Sequence, residues 1–328
     1  MILGVLLPHT KLYGGVKRFL ELGNIFVKMG HRFIVFTPDA AAPTWFDFKG
    51  EMASFDSLAE YSLDAIWTTT VRYIPMMLEM DVRHRIFYHV RKSEDVKAIM
   101  KNPEIEVFAC STNVLEYDRK KFRKEAFPAV GGVTVANYRA KTDYEVQGRP
   151  FVVLAYGRLA ERVKGTKYAV SACERLYKKG YNVKLLLYDT PTSEKAQRKI
   201  DKFTCKCPYE FILNHPFDRN YELFTQADCF ISAENPKYSG WNNTVAEAMA
   251  CGVPVISTIA GTRDLIVDGE NALLSPRRRR SFAKRLKVLY GDAALRKKLG
   301  TNARKDIMNF DWENLAKRII AYLESSRQ

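Results

Sequence analysis

The stretch Tyr238-Ser-Gly-Trp-Asn-Asn-Thr-Val-Ala-Glu247-Ala-Met-Ala-Cys-Gly-Val-Pro-Val-Ile-Ser257 sets a loop of small and polar residues, one acid and a β-branched run in close succession. Gly240 and the run Asn242-Asn243-Thr244 let the backbone turn sharply and present N–H groups, and residues 245–250 read as a helix with Glu247 in its first turn. The start of a helix attracts phosphate oxygens, because its first N–H groups lack partners and the peptide dipoles sum to a partial positive charge there. Gly252-Val253-Pro254 stops the helix, and Val255-Ile256-Ser257 has the apolar, branched character of a strand buried in a parallel sheet. The local unit is loop, helix, turn and strand, an order that suits a phosphorylated ligand.

Working outward, the same alternation fills the chain. Residues 2–7 are a near-continuous apolar run, His9-Thr10-Lys11-Leu12-Tyr13-Gly14-Gly15 reads as a turn, and Val16, Phe19, Leu20, Leu22, Ile25 and Phe26 recur near a 3.6 period before a second strand at 33–36. This is a βαβ start. Short apolar runs at 65–67, 85–88 and 107–110 continue the sheet. A linker-like composition at 141–150 precedes a restart at Phe151-Val-Val-Leu-Ala-Tyr156, with further strands expected at 183–187, 210–213, 229–232 and 253–257. The reading is two α/β halves in tandem: a first domain over 1–145, a second over 150–309, and a last helix near 312–323. Ligands of such sheets bind at the carboxyl ends of strands, and a cleft between two domains is the default pocket.

Composition bounds the function. The 328 residues are 47% hydrophobic and 27% charged, which describes an ordinary globular chain with room for two cores. No apolar run is long enough to cross a bilayer, and no basic region or cleavage site precedes the first strand, so the expected location is cytoplasmic. Cys110, Cys173, Cys205, Cys207, Cys229 and Cys251 are scattered in apolar surroundings, as reduced thiols are. Cys205, Cys207 and His215 lack a fourth ligand at zinc spacing, so no metal site is expected. The formal net charge of +15 is uneven, +3 over residues 1–149 and +12 over 150–328. That excess exceeds what a nucleotide diphosphate needs and leaves charge for an anionic partner or a solvated cationic surface.

Several loops then carry chemistry. After the strand ending at Tyr156 stands Gly157-Arg158-Leu-Ala-Glu-Arg162-Val-Lys164-Gly165. A forked guanidinium and a point-charge ammonium beside a glycine turn suit two adjacent phosphates, and both stabilise charge growing on a leaving group. Arg158 and Lys164 are the expected electrostatic catalysts, with Arg162 as substitute for Lys164. Gly14 and Gly15 leave room for backbone N–H groups to meet phosphates. His89 follows the strand at 85–88, where it reads either as a structural residue or as a hydrogen-bonding partner of a sugar hydroxyl; Arg91 and Lys92 stand beyond it.

The segment 238–257 resembles the donor-binding signature of the family 4 retaining glycosyltransferases, also called glycosyl transferases group 1, whose fold is GT-B. Their pattern is Glu-x7-Glu followed by Ala-Met-Ala-Cys-Gly-x-Pro-Val; Glu247 matches the second acid, while Ser239 stands where the first belongs and Glu234 lies five residues before it. The loop from Gly157 resembles the family's Gly-Arg-Leu-x-x-x-Lys-Gly, with one residue more between arginine and lysine. The resemblance implies two Rossmann-like domains facing across a cleft, with the last helix, from about 310 to 328, bracing the first domain. It implies a nucleotide-sugar donor held by Gly14, Gly15, Arg162, Asn214, His215, Pro216, Ser239, Gly240, Thr244, Val245 and Glu247. Here Glu247 would take the ribose hydroxyls, Thr244 and Val245 would offer N–H groups to the diphosphate, and Asn214-His215-Pro216 would lie by the base. His89 matches a histidine beside the transferred sugar. The expected acceptor is a glycan or glycolipid hydroxyl of the cell envelope, and the expected chemistry is hexosyl transfer with retention, without metal or cofactor.

Asp268-Gly269-Glu270-Asn271 reads as a structural turn. The run Arg277-Arg278-Arg279-Arg280 opposes the dipole at a helix start; it reads as a solvated basic face or as a contact for an anionic membrane surface on the inner face. An epimerase of the same shape would need further acids in the cleft. A weakened family member binding membrane or nucleic acid through its basic half is the other alternative. Nucleic acid is not expected, since no aromatic platform or known module accompanies the charge.

Overall fold

The apolar runs become strands of two parallel sheets. The computed structural model describes residues 1–237 and 240–325. They form two units, residues 1–134 together with the stretch from Phe310 onward, and residues 135–309.

In the first unit β1 (Ile2–Leu6), β2 (Arg32–Thr37), β3 (Glu51–Ser54), β4 (Ala65–Thr68), β5 (His84–His89), β6 (Glu106–Ala109) and β7 (Phe127–Pro128) lie in the order β3-β2-β1-β4-β5-β6-β7. All neighbours are parallel. β1 is buried on both faces, which is why it reads as a continuous run rather than an alternation. The two outer strands lack such a run: Glu51-Met-Ala-Ser is half polar, and β7 holds a proline, which an edge tolerates. Neither was anticipated. The helix Gly14–Lys28 begins at the two glycines, so Gly14 and Gly15 are its first two residues rather than a turn before it.

The last helix, Trp312–Ser325, lies against Gly14–Lys28 in this unit. Trp312 is buried, and its indole Nε1 donates to Glu21 Oε2 at 2.7 Å. Arg18, also buried, stands 4.9 Å from the Trp312 ring and donates to the Tyr88 hydroxyl at 2.6 Å.

In the second unit β8 (Phe151–Tyr156), β9 (Val183–Asp189), β10 (Tyr209–Leu213), β11 (Cys229–Ser232), β12 (Val255–Ser257) and β13 (Leu273–Leu274) lie in the order β10-β9-β8-β11-β12-β13, again all parallel. Val153, Leu185 and Ile231 from three strands share one core with Ala169, Phe282 and Leu286 from the covering helices. The sequence placed the end of the first domain at residue 145, whereas the chain enters the second unit at Val135. The reason is a set of long-range bonds. Arg304 donates to Tyr138 O, Lys141 N to Cys251 O, and Tyr144 OH to Gly252 O, so the linker-like segment is fastened to the second unit.

Candidate functional site

The second sheet is built outward from β8, first to β9 and β10 on one side and then to β11, β12 and β13 on the other. Loops leaving the carboxyl ends of β8 and β11 therefore diverge, and the gap they leave is where open α/β sheets hold ligands. A small recess lies at that gap, with Tyr156, Lys164, Thr166, Ser232, Glu234 and Thr244 among its walls.

The loop 157–165 is held tightly against the end of β11. Gly165 has φ +74°, and a Cβ there would stand 2.1 Å from Ala233 O, so both conformation and space demand glycine. Arg277 straps the same loop: its Nε donates to Ala233 O at 2.8 Å, and one terminal nitrogen donates to Arg162 O at 2.8 Å and Val163 O at 3.2 Å. Arg277 thus serves the fold and is withdrawn from the basic face read at 277–280, leaving Arg278, Arg279 and Arg280 exposed.

Arg158 is 8% exposed. Its Nε donates to the Tyr156 hydroxyl at 3.0 Å, a terminal nitrogen donates to the same hydroxyl, and the other reaches Glu161 Oε1 at 3.4 Å. Asp189, at the end of β9, lies 3.1 Å from Nε in ion-pair contact without hydrogen-bond alignment. Burial works against the guanidinium charge, but Tyr156, Asp189 and Glu161 outweigh it and hold the pKa above the ordinary arginine value. The Asp189 carboxyl is pushed up by burial more than Arg158 pulls it down. A guanidinium has five N–H donors; three are used here, which leaves two for a ligand. Lys164 Nζ bonds Glu234 Oε1 at 2.7 Å, with the two side chains 30% and 11% exposed. Lys164, not Arg162, lines the cavity; Arg158 and Arg162 stand on an open groove beside it, with Lys167 and Arg279.

The helix Asn243–Ala250 starts two residues earlier than its apolar run suggested, because Asn242 caps it. Asn242 Oδ1 accepts from Val245 N at 3.2 Å and Thr244 Oγ1 at 3.0 Å, while its Nδ2 donates to Ser232 Oγ at 3.1 Å. Two expectations change. Glu247 sits in the second turn, buried to 4% exposure, and the Val245 N–H is already used by the cap. Thr244 does reach the cavity wall. Gly240 is buried, its carbonyl against Gly261; Ser239, with Tyr238, lies outside the described residues. Asn214 takes a left-handed φ of 53° just after β10 and donates its N–H to Asp189 O at 3.0 Å. His215 Nε2 bonds Arg219 O at 3.0 Å, and Pro216 precedes a short turn of helix.

Gly14, Gly15 and His89 belong to the first unit, at the carboxyl ends of β1 and β5. Gly15 has ordinary φ and a Cβ would meet nothing within 4 Å, so the fold does not require glycine at a position where it weakens a helix. His89 is 2% exposed, and its Nδ1 stands 2.8 Å from Asp118 Oδ1, whose residue is fully buried. The Asp118 carboxyl is raised by burial, against the pull of His89. Cys205 and Cys207 have sulfurs 3.3 Å apart, and no group of three or more metal-ligating side chains occurs among the described residues.

A family model described as glycosyl transferases group 1 matches residues 137–306, just over half of the chain. The chain belongs to that family. The capsular polysaccharide biosynthesis glycosyltransferase CapM of Staphylococcus aureus is 28% identical over 184 residues, 54% of this chain and 47% of that protein. The chain thus spans about half the length of this curated relative. Among solved structures, the sucrose-phosphate synthase of Thermosynechococcus elongatus superposes with a TM-score of 0.81 at 18% identity, covering 99% of this chain and 98% of that one. Anabaena HepE in complex with UDP-glucose gives 0.78 at 17%, covering 99% and 100%. At these identities the likeness is one of fold, and it agrees with the two Rossmann-like units of the GT-B type. Within the family's signature loops, sequence reasoning missed Tyr156, Asp189, Arg277 and the capping role of Asn242. A polar residue at a strand's last position, as at Tyr156 and Asp189, was the available signal; the Arg277 strap had none.

Proposed function

We propose that the chain is a retaining glycosyltransferase that moves a hexose from a nucleotide-sugar donor to a hydroxyl of a saccharide or lipid-linked glycan of the cell envelope. The observation that carries this is the placement of Lys164 and Thr244 around one cavity, and of Arg158 on the groove that adjoins it through Gly165 and Thr166, beside a helix that carries Glu247. CapM, a capsule-building relative, supports the acceptor class, and HepE, crystallised with UDP-glucose, makes UDP-sugars the first donors to try.

In this reading the diphosphate sits against the two cations, already aligned by Asp189, Glu161 and Glu234, so that little reorganisation is needed as charge grows on the leaving group. Glu247 accepts from the ribose hydroxyls. The acceptor hydroxyl attacks on the face the diphosphate quits, and a departing phosphate oxygen takes its proton. The leaving charge is met by the side chains and the helix start, with no divalent ion required. His89, held by Asp118, hydrogen-bonds the transferred sugar. Arg278, Arg279 and Arg280 favour peripheral contact with an anionic, cytoplasm-facing membrane surface.

The test is a hydrolysis and thermal-shift screen of the purified chain against UDP-, GDP-, ADP- and dTDP-sugars, with and without EDTA, beside Arg158→Ala. One nucleoside diphosphate should be released in EDTA, and the variant should lose about 10²–10³ in rate. Absence of stabilisation by every nucleotide overturns the reading.

A further inference from the structure

Tyr156, the last residue of β8, has both cations against its ring. Its ring centre is 5.1 Å from Arg158 Cζ and 6.0 Å from Lys164 Nζ, and the residue is part of the cavity lining with Lys164 and Thr244. A phenol has two acceptor positions and one proton. Both acceptor positions are taken by Arg158 N–H groups, and among the described residues the hydroxyl donates no hydrogen bond. The Tyr156 ring also packs on the buried Tyr188 ring, 5.3 Å centre to centre.

We propose that the Tyr156 hydroxyl is a third contact for the diphosphate, donating a hydrogen bond to a phosphate oxygen between Arg158 and Lys164. The proposal rests on the donor-site reading given above. Three features favour it. A hydroxyl that accepts from a guanidinium is polarised and becomes a stronger donor toward an anion. Burial pushes the phenol up to about 12, so the proton stays in place at neutral pH. Lys164 and Arg158 each have a carboxylate close by, Glu234 and Asp189, so a neutral donor adds attraction for a phosphate oxygen without adding a charge that must itself be balanced. The same hydroxyl also fixes the plane of the Arg158 guanidinium, and the ring supports the Lys164 ammonium.

The test uses inorganic pyrophosphate as probe, titrated calorimetrically into the full chain, with Arg158→Ala and Lys164→Ala as references. Tyr156→Phe keeps the ring and deletes the hydroxyl; it should bind pyrophosphate about tenfold more weakly or worse, as expected for a hydrogen bond to a charged group. Replacing Tyr156 by 3-fluorotyrosine, a stronger donor of nearly the same shape, should tighten binding, a change a merely structural role would not produce. Wild-type affinity in Tyr156→Phe, with Arg158→Ala impaired, overturns this inference and leaves the donor-site reading standing. Unchanged or weaker binding by the fluorinated protein overturns the donating role even if Tyr156→Phe is impaired or unstable. No pyrophosphate binding by the wild type, or binding indifferent to Arg158 and Lys164, overturns the donor-site reading and the inference with it.

Discussion

The two units use the same architecture but fasten the groups at the carboxyl ends of their sheets differently. In the second, one loop over 157–165 supplies both Arg158 and Lys164, and the acids that hold them come from the ends of β9 and just after β11. In the first, His89 is oriented by Asp118, 29 residues further along, and the helix opened by Gly14 and Gly15 is held by Trp312, 291 residues from its partner Glu21. The difference teaches that a charged loop is written locally, whereas a buried polar pair is written by whatever the fold brings beside it. A sequence reading finds the first kind and passes over the second.

The largest expected effect probes whether the second unit, too, depends on a distant buried pair. Asp228 is fully buried and accepts from Arg149 at 2.6 and 2.8 Å and from Val152 N at 2.9 Å, with Lys141 at 3.6 Å. Asp228→Ala leaves cations unpaired and should cost about 3–5 kcal/mol. Urea unfolding followed by Trp241, the tryptophan within residues 135–309, reads it. A loss below about 1 kcal/mol would mean the unit is held by its apolar core alone.

The corresponding change in the first unit is smaller. Trp312→Phe preserves the ring packing and removes one hydrogen bond to buried Glu21, which should cost about 1–3 kcal/mol. An unchanged urea midpoint would show that the remaining contacts of Glu21 suffice.

Asp118 gives the comparison a pH dependence. Its folded pKa is raised, chiefly by burial, so the folded chain holds the proton more tightly than the unfolded one. The group therefore contributes stability below the ordinary carboxylate range, and that contribution is lost as pH rises through the folded value. Asp118→Asn removes the titration, so its stability relative to wild type should improve as pH is raised from acid toward neutral. A constant difference across that window contradicts the raised value. The smallest effect is at Gly15. Gly15→Ala should strengthen the helix by up to about 1 kcal/mol, read as a raised urea midpoint. An unchanged midpoint would show that helix propensity at this position does not limit stability.

Much of this was legible. The ten apolar runs announced ten strands, and β1, β2, β4, β5, β6, β8, β9, β10, β11 and β12 lie where those runs are. That Arg158 and Lys164 follow the end of β8 was readable because both belong to one short loop, and that Thr244 stands at a helix start was readable from the polar run before it. The outer strands β3, β7 and β13 were not, since an edge strand needs only partial burial and leaves a weak pattern. The start of the helix at Asn243 was missed because the cap, Asn242, is polar and lies outside the apolar run.

The sequence by itself determined the alternation of strands and helices, the two-unit α/β class and the loops that carry cations, because apolar periodicity, glycine and local charge act over a few residues. Only the tertiary structure decided that Lys164 rather than Arg162 lines the cavity, that Arg277 is a strap instead of a surface charge, that the segment from Val135 joins the second unit, and that the Tyr156 ring lies against both Arg158 and Lys164. Each of these depends on which distant backbone carbonyl or carboxylate becomes a neighbour on folding. A buried polar group must find such a partner, and nothing within its own stretch of chain says which one it will be.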